Sequence, residues 1–175
     1  MRFAIHRLHA FTLVELMIAL AIAGIVGALA VPAFGTWLAG QQVQGRAEAL
    51  LYALDLARSE AIKRGDRVDV CPGDGGCDAG ALAWEGGWVV VPDTVRRNAS
   101  SAIGRERTAP AGVTIRGNRP VADYVSYTGA GRARRFDGAL QMGTFTVCRA
   151  GQRARKVILA NSGRARIELS PDTCP

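Results

Sequence analysis

The sequence predicts an α+β protein in which one long N-terminal helix packs on an antiparallel, β-rich C-terminal head. Three observations predict it. An apolar run opens the chain, a stripe of apolar residues at helical spacing follows it, and beyond Gly65 the hydrophobic period changes to two. With 175 residues, 49% of them hydrophobic, the chain can build one modest head beside an apolar segment, and not two ordinary domains.

The first element is the apolar run, residues 11–31, FTLVELMIALAIAGIVGALAV, whose only charge is Glu15. A helix of that length rises roughly 30 Å, enough to span a bilayer. Arg2 and Arg7 precede it and the next basic residue is Arg46, so the charge asymmetry places residues 1–10 in the cytoplasm and the head across the membrane. A cleaved secretory signal is the plain alternative, with Ala28 and Ala30 as its small residues. Glu15 argues against it, because a carboxylate inside an apolar helix is costly and marks a pairing function.

The second element is residues 32–64. After Pro32, which is expected to kink the helix or loosen a turn, apolar residues recur at Val43, Ala47, Leu50, Leu54, Ala57 and Ala61 in steps of four and three. This is an amphipathic helix. Lys63 and Arg64 followed by Gly65 read as a basic last turn and a C-cap. Residues 65–175 form the head, with candidate strands at 67–71, 87–91, 113–116, 124–127, 144–148, 156–160 and 164–169, separated by Gly, Pro, Asp and Asn. Residues 96–110 show no period and read as a loop.

The residues that begin this pattern resemble a known family. The string Ala10-Phe11-Thr12-Leu13-Val14-Glu15-Leu16 resembles the processing site of type IV prepilins and type II secretion pseudopilins. The resemblance implies cleavage by a prepilin peptidase before Phe11, methylation of the new terminus, residence in the inner membrane with the head in the periplasm, and later assembly with other pilin subunits into a pilus or pseudopilus. It also implies that Glu15 neutralises the terminal amine of a neighbouring subunit, so that each charge compensates the other in an apolar filament core. Ala10 departs from the family, which prefers glycine there. The segments Ala57-Arg58-Ser59-Glu60-Ala61-Ile62-Lys63-Arg64-Gly65 and Trp84-Glu85-Gly86-Gly87-Trp88 resemble the FimT and GspH subgroup.

Four cysteines, Cys71, Cys77, Cys148 and Cys174, fall on the oxidising side of the membrane, where disulfides persist. Of three possible pairings, Cys71 with Cys77 and Cys148 with Cys174 is favoured, the first closing the turn over residues 72–76 and the second pinning the C-terminal tail. Neither interval has the Cys-x-x-Cys spacing of a zinc site, and no metal or other cofactor is expected. Both histidines, His6 and His9, precede Phe11, which excludes histidine-based catalysis from the processed chain. Residues 73–76 lack the following lysine and helix of a phosphate-binding loop. No catalytic role is expected.

Charge gives the remaining signal. The formal net charge is +7, or +5 without Arg2 and Arg7, and the pI is about 9.9, which favours anionic partners. Between Arg132 and Arg166 lie Arg132, Arg134, Arg135, Arg149, Arg153, Arg155, Lys156, Arg164 and Arg166, with Asp137 as the only acid. Arginine dominates, as suits bidentate contact with phosphate. If Arg164 opens a strand after Gly163, Arg164 and Arg166 share one face about 7 Å apart, a spacing suited to a nucleic-acid backbone. Gly163-Arg164-Ala165-Arg166 resembles the Gly-Arg-x-Arg motif of DNA-binding FimT-type minor pilins, which implies non-specific DNA capture for natural transformation. Gly131-Arg132-Ala133-Arg134 matches the same pattern, either by chance or as a second loop of one patch. The alternative is a structural, protein-binding pseudopilin of the GspH kind. Expression of the precursor with a prepilin peptidase, followed by N-terminal sequencing, should return Phe11 as the first residue. An intact leader on assembled protein would overturn that expectation.

Overall fold

The computed structural model describes residues 12–73, 77, 83–92 and 101–175. Ala10, Phe11, the turn residues 74–76 and the first part of the 96–110 loop lie outside the described residues. The chain divides into two compact units, one ending at Leu38 and the other spanning residues 39–175.

Helix α1 is Leu13–Arg64. Thr12 caps it: the Thr12 hydroxyl accepts a hydrogen bond from the Glu15 amide at 3.3 Å, and the Thr12 carbonyl accepts one from Leu16 at 3.2 Å. Thr12 and Glu15 stand in the spacing of a capping box, and a carboxylate in the first turn also suits the helix dipole. The helix continues past Pro32, which has no amide hydrogen to donate to the preceding turn. Within the first unit the apolar side chains, Leu13, Leu20, Leu29 and Val31 among them, are exposed, and this stretch is long and apolar enough to cross a membrane.

Within the second unit, Ala39, Val43, Ala47, Leu50, Ala53, Leu54, Ala57 and Ala61 are buried, which is the predicted stripe extended by two alanines. The helix stops at Gly65, which takes a positive φ of 66° and donates to the Ile62 carbonyl, as its C-cap position requires.

The head is two antiparallel four-stranded sheets. The first, ordered β3-β2-β1-β5, comprises β1 (Val68–Pro72), β2 (Trp88–Pro92), β3 (Gly104–Glu106) and β5 (Val125–Tyr127). The second, ordered β4-β6-β7-β8, comprises β4 (Val113–Gly117), β6 (Gly143–Arg149), β7 (Arg153–Leu159) and β8 (Ala165–Thr173). Seven of these follow the predicted strands within a few residues. The eighth, β3, lies inside the segment read as a loop. Its three residues, Gly104, Arg105 and Glu106, carry no apolar alternation, and it is a strand because its backbone pairs with Trp88–Val90. Pro171 sits in β8, at the edge of its sheet, where a residue without an amide proton is tolerated.

One core joins the helix to both sheets. Leu50 and Leu54 of α1, Val68, Val70 and Tyr127 of the first sheet, and Ile115, Phe145, Val157 and Leu159 of the second are all fully buried in it. Trp84, in a short 3-10 turn, sits between the sheets, its ring edge-on to Phe145 at 4.9 Å and its indole N–H donating to the Ala122 carbonyl at 2.7 Å. The outer face of the first sheet carries a smaller cluster, Cys71, Val89 and Val91.

Both favoured disulfides are present. Cys71–Cys77 closes a loop at the end of β1, and Cys148–Cys174 ties β6 to the C-terminus. There the Cys174 amide donates to the Gln152 carbonyl at 2.8 Å and its carbonyl accepts from Gly151.

Arg116 on β4 forms an ion pair with Glu85, next to Trp84. Burial works to raise the Glu85 pKa, but the Arg116 hydrogen bond and charge, together with backbone hydrogen bonds, outweigh it and hold the carboxyl below the usual range. Because the folded-state value lies below that of an unfolded carboxylate, the stabilisation is present above about pH 4.3 and is lost as pH falls through the folded value. Glu85→Gln should therefore lower the thermal midpoint at pH 7, with the gap to the native chain closing as pH approaches 3. A gap independent of pH would show that the charge is immaterial.

Candidate nucleic-acid interface

Two tight turns at one end of the head carry the leading arginines. The first spans residues 128–132 after β5. The Gly131 amide donates to the Thr128 carbonyl at 2.7 Å, and the Thr128 amide donates to the Arg132 carbonyl at 3.0 Å. The second, residues 160–164, joins β7 to β8. The Gly163 amide donates to the Ala160 carbonyl at 2.9 Å, and the Ala160 amide donates to the Arg164 carbonyl at 2.9 Å. Each is a turn closed by a glycine in the left-handed region, with φ of 71° at Gly131 and 81° at Gly163, and each is followed at once by an arginine. This is the three-residue hairpin loop in which the last loop position needs positive φ.

The two turns abut. A Cβ on Gly163 would stand 2.3 Å from the Gly131 carbonyl oxygen, 3.2 Å from Tyr127 Cε1 and 3.3 Å from the Ala133 nitrogen. A Cβ on Gly131 would stand 2.6 Å from Ile62 of α1. Arg58, also on α1, donates from Nε to the Gly131 carbonyl at 2.9 Å, and its Nη2 reaches the Ser162 carbonyl at 3.5 Å. Behind the contact lies the Tyr127 hydroxyl, buried without a hydrogen-bond partner among the described residues. Burial, and then the charge of Asp55, push its pKa upward. Asp55 is itself raised by burial, against the pull of Arg58.

The predicted arginines separate into groups. Arg132 and Arg164 are exposed, and neither guanidinium has a partner among the described residues. Arg164 and Arg166 flank Ala165, which packs against the core, so both occupy the outer face at the predicted spacing. Arg166 is also exposed but pairs with Glu168 at 2.7 Å. Gly163 is buried, so it can offer no surface to a ligand. Arg134 is half-buried, and Arg135 lies over the Tyr124 ring at 5.6 Å and faces Asp137 at 3.7 Å.

The remaining predicted positions do not join the two turns. Arg153 stands at the opposite end of β7, roughly 20 Å along the strand from the β7–β8 turn, with its Nε on the Ser170 carbonyl at 3.3 Å. Arg155 is half-buried opposite Leu169, and Lys156, opposite Glu168, lies 3.8 Å from Asp172. The bias of nine bases to one acid thus belongs to a sequence window that ends two residues before Glu168. In space, two of those bases are paired with acids lying past its end.

Three features were missed in the sequence. In the sequence Arg58 is one residue of a helical segment, and its two carbonyl contacts come from residues 73 and 104 positions away. Tyr124 stacks on Phe136 at 4.1 Å with the rings 9° apart, and Arg67 lies 5.7 Å from the Phe136 centroid. Arg119 and Arg135 line an open cavity of about 500 Å³ with Pro120, Ala122, Asp123 and Leu140. No local pattern signals any of them.

Comparison with known proteins fits this architecture. The family described as type II transport protein GspH matches residues 46–163, and the prokaryotic N-terminal methylation motif matches residues 6–31. The chain belongs to the GspH family. Among solved structures, this GspH-family chain is similar to the type IV minor pilin FimU of Pseudomonas aeruginosa, with a TM-score of 0.57 and 19% identity over 75% of this chain and 90% of that one. It is also similar to the minor pseudopilin EpsH from the type 2 secretion system of Vibrio cholerae, with a TM-score of 0.52 and 13% identity over 75% and 99%. At these identities the likeness establishes the pilin fold. No curated protein sequence matches significantly. As a GspH-family member carrying the methylation motif and an apolar helix, the chain is a minor pilin or pseudopilin, anchored in the inner membrane and then incorporated into a pilus or pseudopilus. Its family implies processing by prepilin peptidase and assembly with other pilin subunits.

The contact between turns generates a prediction. Gly163→Ala must accommodate both a positive φ and a methyl 2.3 Å from a backbone oxygen, so it should destabilise the protein by about 2 kcal/mol or more. Thermal unfolding monitored by circular dichroism would check this, and an unchanged midpoint would show that the turns do not depend on each other.

Proposed function

We propose that this minor pilin binds extracellular DNA without sequence specificity, through an arginine surface that includes Arg132, Arg164 and Arg166, and serves DNA uptake in natural transformation. The observation that carries the reading is the placement of two exposed, unpaired arginines, Arg132 and Arg164, on abutting turns, with Arg166 beside them. An unpaired guanidinium in water keeps its donors available for bidentate contact with a phosphate. The resemblance of Gly163-Arg164-Ala165-Arg166 to the FimT motif points the same way. Phosphate contacts position a protein on DNA and carry little sequence information, so binding should be indifferent to sequence and strongly weakened by salt.

A second reading also has an observation in its favour. The face of β7 and β8 next to the arginines alternates charge, with Arg166 on Glu168 and Lys156 near Glu168 and Asp172. Mixed charge on an edge strand suits a protein neighbour, as in a structural pseudopilin of the GspH kind. The two readings separate in a binding assay. The full chain in non-ionic detergent, titrated into labelled duplex DNA at several salt concentrations, should bind with a steep salt dependence. Arg164→Ala should lower the slope by about one, and Arg166→Ala by less, because Arg166 is already partly neutralised. Absence of binding by the native chain would favour the pseudopilin reading.

A further inference from the structure

The two Gly-Arg-Ala-Arg segments have the same local geometry only in part, and the part they share is informative. In both, a carbonyl-to-glycine bond closes the turn, the glycine takes positive φ, and the next residue is an exposed arginine. At the second arginine they diverge. Arg134 is half-buried, with its amide on the Ser126 carbonyl and its own carbonyl accepting from Arg67, whereas Arg166 is exposed and paired with Glu168. The shared element is therefore the turn and its first arginine.

The turns are also packed so that these first arginines stay together. The 3.3 Å approach between the Gly163 Cβ position and the Ala133 nitrogen, combined with standard bond lengths, keeps the Arg132 and Arg164 Cα atoms within about 11 Å of each other. Arg58 spans the junction, with hydrogen bonds to a carbonyl of each turn. It satisfies two backbone acceptors that tight turns leave outside the sheet ladders, and it comes from the part of α1 that belongs to the same unit as both turns. An Arg side chain suits this task because its donors form a fixed planar fork.

We propose that the turn at Gly131 is a second phosphate-binding turn paired with the one at Gly163, so that Arg132 and Arg164 form a two-turn clamp on the nucleic-acid backbone, and that Arg58 is the positioning residue that holds the turns in register. This inference rests on the DNA-binding reading and specifies its site. Arg132 contributes as much as Arg164, more than Arg166, and the distant Arg153 contributes little. Arg58 touches carbonyl oxygens and not the ligand.

The test uses the full chain in detergent and fluorescence anisotropy with a labelled duplex of arbitrary sequence. Arg132→Ala and Arg164→Ala should each weaken binding several-fold and lower the salt slope by about one, and the double variant by about two, while Arg153→Ala matches the native chain. Arg58→Ala should weaken binding in the native background yet cost almost nothing further in the Arg132→Ala/Arg164→Ala background, since its effect passes through those two side chains. A purely structural loss would persist in both backgrounds. Both arginines of the clamp are exposed, so their removal should leave the thermal midpoint unchanged, which keeps the result interpretable. Native binding that falls with Arg164→Ala but not with Arg132→Ala would overturn the second turn alone. Arg58→Ala acting equally in both backgrounds would overturn its positioning role. A native chain that does not bind DNA would overturn the underlying reading, and this inference with it.

Discussion

The C-terminal half of α1 presents a buried face made largely of alanine: Ala39, Ala47, Ala53, Ala57 and Ala61, with Val43, Leu50 and Leu54 filling the wider gaps. Small side chains let neighbouring backbone come close to a helix. Gly129 comes close enough to Gly65, at the helix C-terminus, that an added Cβ would lie 2.5 Å from its carbonyl. Only with that close seating can the residues flanking the face reach the head's turns. Arg58 lies next to Ala57 in sequence and reaches two carbonyls in two different turns. A bulkier helix face would hold the turns away and leave those carbonyls to water.

Electrostatics at the arginine end depends on the same seating. The guanidinium of Arg58 is spent on backbone oxygens, and that of Arg67 on the Ser126 hydroxyl and the Arg134 carbonyl. The guanidinium of Arg166 and the ammonium of Lys156 are balanced by acids on β8. Among the described residues of these two turns, Arg132 and Arg164 are the arginines that reach solvent without a partner. Net charge describes how strongly the molecule as a whole attracts polyanions, while the distribution of partners decides where one would rest.

Much of this was legible in the sequence, for identifiable reasons. The helix stripe, the C-cap at Gly65 and seven strands each write a local period or a turn residue into the chain, and local patterns survive folding. The disulfides followed from compartment and spacing. What escaped was whatever depends on contacts between distant segments. Strand β3 exists through its pairing with β2, and neither Gly104 nor Glu106 is apolar. The relation between the two Gly-Arg-Ala-Arg segments was visible as a repeat, but whether the repeats meet is decided by topology. They lie 32 positions apart, the first following β5 of one sheet and the second at the β7–β8 hairpin of the other. The charge bias misled in the opposite sense, because a window along the chain ignores acids that return to it in space.

The contact between Gly163 and the Gly131 carbonyl separates two kinds of evolutionary freedom. Fold and turn geometry there are carried by residues with no side chain, by backbone oxygens and by Arg58. The arginines that follow the glycines carry almost none of it. Selection could then exchange the residues at 132 and 164 for others of different charge or length without reopening the packing problem, and the glycines could not drift at all. Such a surface can diversify its partners within one unchanging scaffold, as the recurrence of the fold in a type IV minor pilin and in a type 2 secretion pseudopilin illustrates.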